Sequence, residues 1–312
     1  MQRPAALTIL LFGTLALGLG GTRPAAADTW KSVLRWQSAE PVTFVNSPSA
    51  EGCPIETPDG LSLMFASARS GLGNNDIWVA DRVDLAAPWH SLSKLEGPIN
   101  DDVGNDFCPT PFGRSLLFVS DRELEGTCGF ALGGAGDIYL SRQSPAGGWS
   151  TPEHLACAPE GPNTQGGERS PALVETSYGT FLFYSTNGPG GDSDIFVSHM
   201  RDDGSFGPGQ VVESLSSPYD DFMPNVRERE QGGFEIVFSS SRPSPECAAI
   251  DSCGSQDVFA SFAGHLPGQW LNPVNLGGNV NTDGAELRAT LSRDGKRLVF
   301  GRSGDIYMSE RE

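Results

Sequence analysis

The sequence predicts an all-β protein, a five-bladed β-propeller whose last blade is closed by a strand from the N-terminal end. Three observations predict it. One pattern recurs five times: an acid, a short β run, a turn, a second β run, then Asp-Ile or Asp-Val followed by an aromatic residue. An internal period of this kind marks a repeat architecture. The 39 Gly and 23 Pro, set between short β-branched and aromatic runs, mark a turn-rich all-β chain. Finally, the fifth copy stops at Glu312 after its third β run, and the missing fourth run lies at the other end: Trp36–Asn46 reads like Trp270–Asn281. Such a split copy closes a ring and removes exposed sheet edges.

The first 27 residues are expected to lie outside the fold. Arg3 precedes an apolar run from Leu7 to Leu19, and Ala25-Ala26-Ala27 follows. That is the layout of a secretory signal cut before Asp28, and the run is too short for a comfortable membrane span. Residues 28–312 then form one propeller domain, periplasmic or extracellular. Loss of Arg3 and Arg23 takes the net charge from −18 to about −20. A chain this acidic repels nucleic acid and anionic lipid, so neither is an expected partner. A membrane span is not expected in the mature chain either.

The copies open at Glu51, Asp106, Glu168, Asp221 and Glu286. Pro54, Pro109, Pro171 and Pro224 follow three residues on in four copies, with Ala289 in the fifth. An Asn precedes each acid (Asn46, Asn100, Asn163, Asn281) except in the fourth copy, which has Ser216. The second runs, LSLMFASAR, SLLFVSDR, TFLFYSTN, FEIVFSSSR and RLVFGR, alternate at period two as half-buried strands do. The third runs begin at Asp76, Asp137, Asp194, Asp257 and Asp305, and these aspartates are expected to face the Arg or Asn that ends the strand before. The aromatics behind them, Trp78, Tyr139, Phe196, Phe259 and Tyr307, are expected between blades. Long insertions, Glu123–Gly136 and Pro243–Gln256, fall in the second and fourth copies.

EGCPIETPDG, SDR, GDIY and the Trp–Pro–Asn–Leu-Gly run at 270–277 resemble the TolB/tricorn-type Pro-Asp repeats, a WD-like propeller family, over residues 30–312. The Pro-Asp turn is intact at Pro58-Asp59; Arg293-Asp294 and Pro111-Phe112 depart from it. The resemblance implies the fold. It does not select a function, because the family spans scaffolds, binding proteins and peptidase lid domains.

Six cysteines in an exported chain favour disulfides. Their places in the copies suggest the pairs Cys53–Cys108, Cys128–Cys157 and Cys247–Cys253. Zinc is disfavoured because no two cysteines have Cys-x2-Cys spacing and His90, His154, His199 and His265 are dispersed. No Gly-x-Ser-x-Gly elbow, phosphate loop or complete EF-hand loop occurs.

If the opening acids face the central channel, five carboxylates crowd one mouth, each pair repelling by roughly 2 kcal/mol at ~8 Å and an effective dielectric near 20. Period two adds Cys53, Cys108, Ser170, Met223 and Arg288 to the wall, with Arg288 as a counter-charge. Three readings follow. The acids could hold a cation, Ca²⁺ by the oxygen-rich donor set, or a polar ligand such as a glycan or protein group. Two of them could serve as glycosidase or lyase carboxylates. Or each simply caps its own connector. The sequence favours an exported non-catalytic binding scaffold, with a carbohydrate-active hydrolase or lyase as the alternative.

Overall fold

The computed structural model describes residues 34–71, 73–122, 128, 136–187, 191–243 and 255–312. The signal-like segment and the Cys247–Cys253 pair lie outside the described residues. Among the described residues, twenty strands build five four-stranded antiparallel sheets. The N-terminal strand is β1 (Glu40–Pro41). Blade one holds β2 (Glu51–Glu56), β3 (Ser62–Ser67), β4 (Asp76–Asp81) and β5 (Ser91–Lys94). Blade two holds β6 (Asp106–Phe112), β7 (Ser115–Ser120), β8 (Asp137–Arg142) and β9 (Glu153–His154). Blade three holds β10 (Glu168–Thr176), β11 (Gly179–Asn187), β12 (Ser193–His199) and β13 (Gln210–Val211). Blade four holds β14 (Asp221–Glu228), β15 (Phe234–Ser240), β16 (Asp257–Ala263) and β17 (Val274–Asn275). Blade five holds β18 (Glu286–Leu291), β19 (Arg297–Arg302) and β20 (Asp305–Glu310), and takes β1 as its outer strand.

The inner strands close a ring: β2 packs on β6, β6 on β10, β10 on β14, β14 on β18, and β18 back on β2. The closing register is Glu40 opposite Met308 and Pro41 opposite Tyr307. Gln37 N donates to Glu310 O and Val42 N to Ile306 O, each at 2.8 Å. The predicted split blade is therefore present.

The preceding Asn has a uniform purpose. Its side-chain amide continues the sheet by clamping the residue after the strand-three Asp. Ile306 N donates to Asn46 Oδ1 at 2.8 Å while Asn46 Nδ2 donates to Ile306 O at 3.0 Å. Asn100 does the same to Ile77, Asn163 to Ile138 and Asn281 to Val258. Two buried backbone groups in each of these four blades are satisfied where the short outer strand runs out.

Apolar clusters lie between blades, as period-two strands require. Blades three and four share Ile195, Phe183, Ile236, Phe238, Phe259 and Trp270. Blades five and one share Val45, Leu63, Phe65, Val299 and Ile306, and blades one and two share Ile77, Ile99, Leu116, Phe118 and Tyr139. The strand-three aromatics fall in or beside this core, each directly opposite a strand-two aromatic: Phe65–Trp78, Phe118–Tyr139, Tyr184–Phe196, Phe238–Phe259 and Phe300–Tyr307.

Candidate functional site

The opening acids are turned into their own blades. All five are buried. Glu51 accepts from Ser47 N and Oγ, Asp106 from Asp101 N, Asp221 from Ser217 Oγ, and Glu286 from Thr282 N and Oγ1. These bonds fix the connector that enters the blade. An arginine from the end of strand two then neutralises the carboxylate: Arg69–Glu51 at 2.9 Å, Arg122–Asp106 at 2.5 Å, Arg242–Asp221 at 2.5 Å and Arg302–Glu286 at 2.8 Å. Each guanidinium also stacks over the two facing aromatics of its blade and donates to the carbonyl just before the clamping residue: Val45, Ile99, Leu215 and Val280. Four blades thus hold an internal cation where the sequence reading places Ca²⁺.

This corrects the expected partner of the strand-three aspartates. The arginine reaches the opening acid, and the aspartate is served by the strand on its other side: Asp76 by Lys94 at 2.7 Å, Asp137 by His154 at 2.6 Å and Asp257 by Asn275 at 2.9 Å.

A second correction concerns period two. Each inner strand shifts register just after its acid, between Gly52/Ile55, Phe107/Thr110, Arg169/Ala172, Phe222/Asn225 and Leu287/Thr290. The bulged residues Cys53, Cys108, Ser170, Met223 and Arg288 all have φ of 50° to 56°. That left-handed backbone costs a non-glycine residue about 1–2 kcal/mol. In return it swings backbone carbonyls and these side chains together across the ring. Arg288 Nη1 donates to Ser170 O (3.0 Å) and Pro224 O (2.8 Å), and Nη2 to Pro171 O (2.9 Å) and Thr110 Oγ1 (3.0 Å). Thr290 Oγ1 donates to Pro54 O at 2.9 Å, and Cys53 is joined to Cys108. Arg288 is fully buried and does not pair with the acid ring; burial lowers its pKa to about 9. It plugs the axis with hydrogen bonds to carbonyl and hydroxyl oxygens of three other blades.

Blade three breaks the pattern. The arginine position is occupied by Gly188, after Thr186-Asn187. Glu168 accepts from Thr164 Oγ1 at 2.6 Å and meets no arginine among the described residues; its Oε2 has no hydrogen-bond partner there. Burial, reinforced by the charge of nearby Asp137, pushes its pKa up to about 8, so it is protonated at neutral pH. The carbonyl that the arginine would bind is taken instead by Tyr184, whose hydroxyl donates to Pro162 O at 3.0 Å. The other four copies have Phe at that position.

Next to Glu168, Asp137 Oδ2 sits 2.6 Å from His154 Nε2 and accepts from Cys128 N at 3.3 Å; its Oδ1 has no hydrogen-bond partner among the described residues. Cys128 is joined to Cys157, as the sequence suggests. His154 is therefore not the isolated residue the sequence reading expects. The His154-x2-Cys157 spacing was the available signal.

The open cavity lies elsewhere on the same face, between blades one and two, with a volume of about 340 Å³. Phe107, Asn75, Asn105, Asp121, Glu51 and Cys53 are among the residues that line it. Asn105 is held rigid: it donates through Nδ2 to Asp121 at 2.7 Å and accepts from Asn75 N at 2.9 Å.

Among solved structures, the fold matches a five-bladed class that includes glycoside hydrolases. An endo-arabinase from Bacteroides thetaiotaomicron aligns at TM-score 0.57 and 11% identity over 89% of this chain and 98% of that one. An α-L-arabinofuranosidase from Podospora anserina, solved with cellotriose, aligns at 0.55 and 13% over 89% and 97%. The catalytic domain of an α-L-arabinofuranosidase from Coprinopsis cinerea aligns at 0.56 and 13% over 88% and 96%. No protein-family model and no curated protein matches the chain. The comparisons carry the five-bladed propeller; they do not carry the Pro-Asp-repeat family.

Proposed function

We propose that this protein is a carbohydrate-active propeller that takes a glycan into the cavity between blades one and two. The observation that carries the reading is the chemistry of that cavity. An aromatic ring, Phe107, stands beside amide and carboxylate groups of Asn75, Asn105 and Asp121 that are already held by one another. Sugars present apolar C–H faces and hydroxyls together, and a rigid aromatic with fixed polar neighbours matches both. Three solved neighbours with this architecture are named as two α-L-arabinofuranosidases and an endo-arabinase, which supports a glycan over a peptide or nucleic acid as the ligand.

In the cavity itself the geometry favours binding over bond cleavage. Glu51 is paired with Arg69, and Asp121 is occupied by Asn105, so neither is a free acid or base. Hydrolysis is the second reading and rests on a different observation. Glu168 is the one opening acid that meets no arginine among the described residues, burial raises its pKa to about 8, and Asp137 provides a second carboxyl close by. A pair of neighbouring carboxyl groups is what glycoside cleavage requires.

Calorimetric titration with arabino- and xylo-oligosaccharides tests the first reading: wild type binds, and Phe107→Ala loses roughly tenfold or more of the affinity, since one stacked ring is worth about 1–3 kcal/mol. Binding unchanged by Phe107→Ala, or absent for every glycan, defeats it. Reducing-sugar release from the same glycans tests the second. Activity abolished by Glu168→Gln supports hydrolysis at Glu168, and activity that survives the substitution excludes it.

A further inference from the structure

Cys128, His154 and Cys157 come from three places, the blade-two insertion, β9 and the connector leaving that blade. Their donor atoms nevertheless lie within 4.8 Å of one another. The disulfide between the two cysteines accounts for part of this closeness. It does not account for the imidazole beside both sulfurs, nor for Asp137. That carboxylate is fully buried. It orients His154 through Oδ2 at 2.6 Å, and its Oδ1 is without a hydrogen-bond partner among the described residues. A buried carboxylate oxygen left bare beside a histidine and two sulfurs is an arrangement that stapling a loop does not need.

We propose that Cys128, Cys157, His154 and Asp137 form a redox-gated Zn²⁺ site, closed as a disulfide when oxidised and metal-binding when reduced. Two thiolates, one imidazole and one carboxylate are a donor set for tetrahedral zinc, and the thiolates select against Ca²⁺ and Mg²⁺. Zinc–ligand lengths of about 2.0–2.3 Å place tetrahedral donors roughly 3.3–3.8 Å apart, within side-chain reach of the observed cluster. Asp137 supplies the fourth ligand: the metal takes the place of the proton between Asp137 Oδ2 and His154 Nε2, which are 2.6 Å apart, and both atoms turn to it. The chemistry balances. An external dithiol breaks the Cys128–Cys157 bond, delivers two electrons to its sulfurs and becomes a disulfide itself. The two new thiols release their protons to solvent as Zn²⁺ binds. The site is independent of the glycan cavity, which lies on the other flank of blade two.

The test uses the full chain with Cys247→Ser and Cys253→Ser, which removes the other sulfur pair that could bind metal. Co²⁺ is titrated before and after reduction with a phosphine, which is not itself a thiol ligand. Folding is followed by near-ultraviolet circular dichroism. The reduced chain is expected to show a thiolate-to-cobalt charge-transfer band that saturates at one equivalent and is bleached by Zn²⁺; the oxidised chain shows none. His154→Ala and Asp137→Asn are each expected to weaken Co²⁺ binding by about 10–100-fold. Adding Cys53→Ser and Cys108→Ser should leave the band intact, and adding Cys128→Ser and Cys157→Ser should remove it. The proposal is overturned by a reduced, folded chain with no band, by a band insensitive to His154→Ala, or by a chain that loses its fold on reduction, since the site requires the propeller to hold it.

Discussion

Tyr184 donates its hydroxyl to the carbonyl of Pro162 at 3.0 Å, filling the place that arginine fills in the other four blades. The repeat therefore has two solutions to one problem, a buried carbonyl in front of the clamping residue. The arginine solution also neutralises an acid. The tyrosine solution does not, and Glu168 keeps a proton instead.

Tyr184→Phe removes the only difference between this side chain and its counterparts without supplying their arginine. Pro162 O is left without that donor in a buried setting, which costs about 1–3 kcal/mol. Urea unfolding at neutral pH should show the loss as a lower midpoint at an unchanged slope. Phe238, the corresponding residue in blade four, serves as the control, because Phe238→Tyr adds a hydroxyl where Arg242 already occupies Leu215 O.

Glu168 gives stability a pH dependence with a definite sign. Its folded pKa of about 8 lies above the ordinary glutamate value of 4.5, so the folded state binds the extra proton between those values. Stability from this group is complete below pH 4.5, falls as pH rises, and is fully lost above pH 8, a change on the order of 5 kcal/mol at most. Melting temperatures of wild type and Glu168→Gln, measured from pH 5 to 9, should converge at the acid end and diverge at the alkaline end. Parallel curves would show that Glu168 ionises normally.

Arg122→Met leaves Asp106 buried without its cation, a loss of about 3–5 kcal/mol. Burial already holds Asp106 above the usual carboxylate range even with Arg122 at 2.5 Å, so the unpaired acid should take up a proton readily. The double variant Arg122→Met/Asp106→Asn is expected to recover more than half of the loss. A double variant no better than the single one would mean that the stacking of Arg122 on Phe118 and Tyr139, and not its charge, carries the stability.

Asn46→Ala cuts both bonds to Ile306 and loosens the seam where the ring closes. It should lower the melting temperature by several degrees, since each buried group left unpaired costs about 1–3 kcal/mol. Hydrogen exchange should rise first in Ile306–Ser309. Exchange that rises evenly in all five blades would argue against a weak seam.

Much of this architecture could be read from the chain before its coordinates. Trp36–Asn46 and Trp270–Asn281 share enough residues to place the closing strand, and the recurrence of Asp-Ile-aromatic fixes the number of blades. The direction of the opening acids was not legible. A period of two carries Glu286 and Arg288 to one side, but the left-handed residue at 288 breaks the alternation, and nothing in the one-letter pattern announces a bulge at Cys53, Cys108, Ser170, Met223 and Arg288 alike. The arginines were assigned to the wrong acid for a related reason. Arg69 is near Asp76 in sequence, while Glu51 becomes its neighbour only once β2 and β3 pair. The departure of blade three is visible in the sequence: YSTNG stands where FASAR, FVSDR and FSSSR stand in other copies. His154 gave no such signal beyond its spacing from Cys157, because Asp137 and Cys128 reach it only through the β8–β9 pairing and the disulfide.

The seam at β1 and β20 also orders events in time. No ribosome can deliver a finished ring before Asp305–Glu310 has emerged, so until that moment β1 has no partner and blade five presents a bare edge. Once it has, residues near Arg35 and Glu312 leave the molecule from the same rim, and anything fused to one end would hang beside whatever is fused to the other.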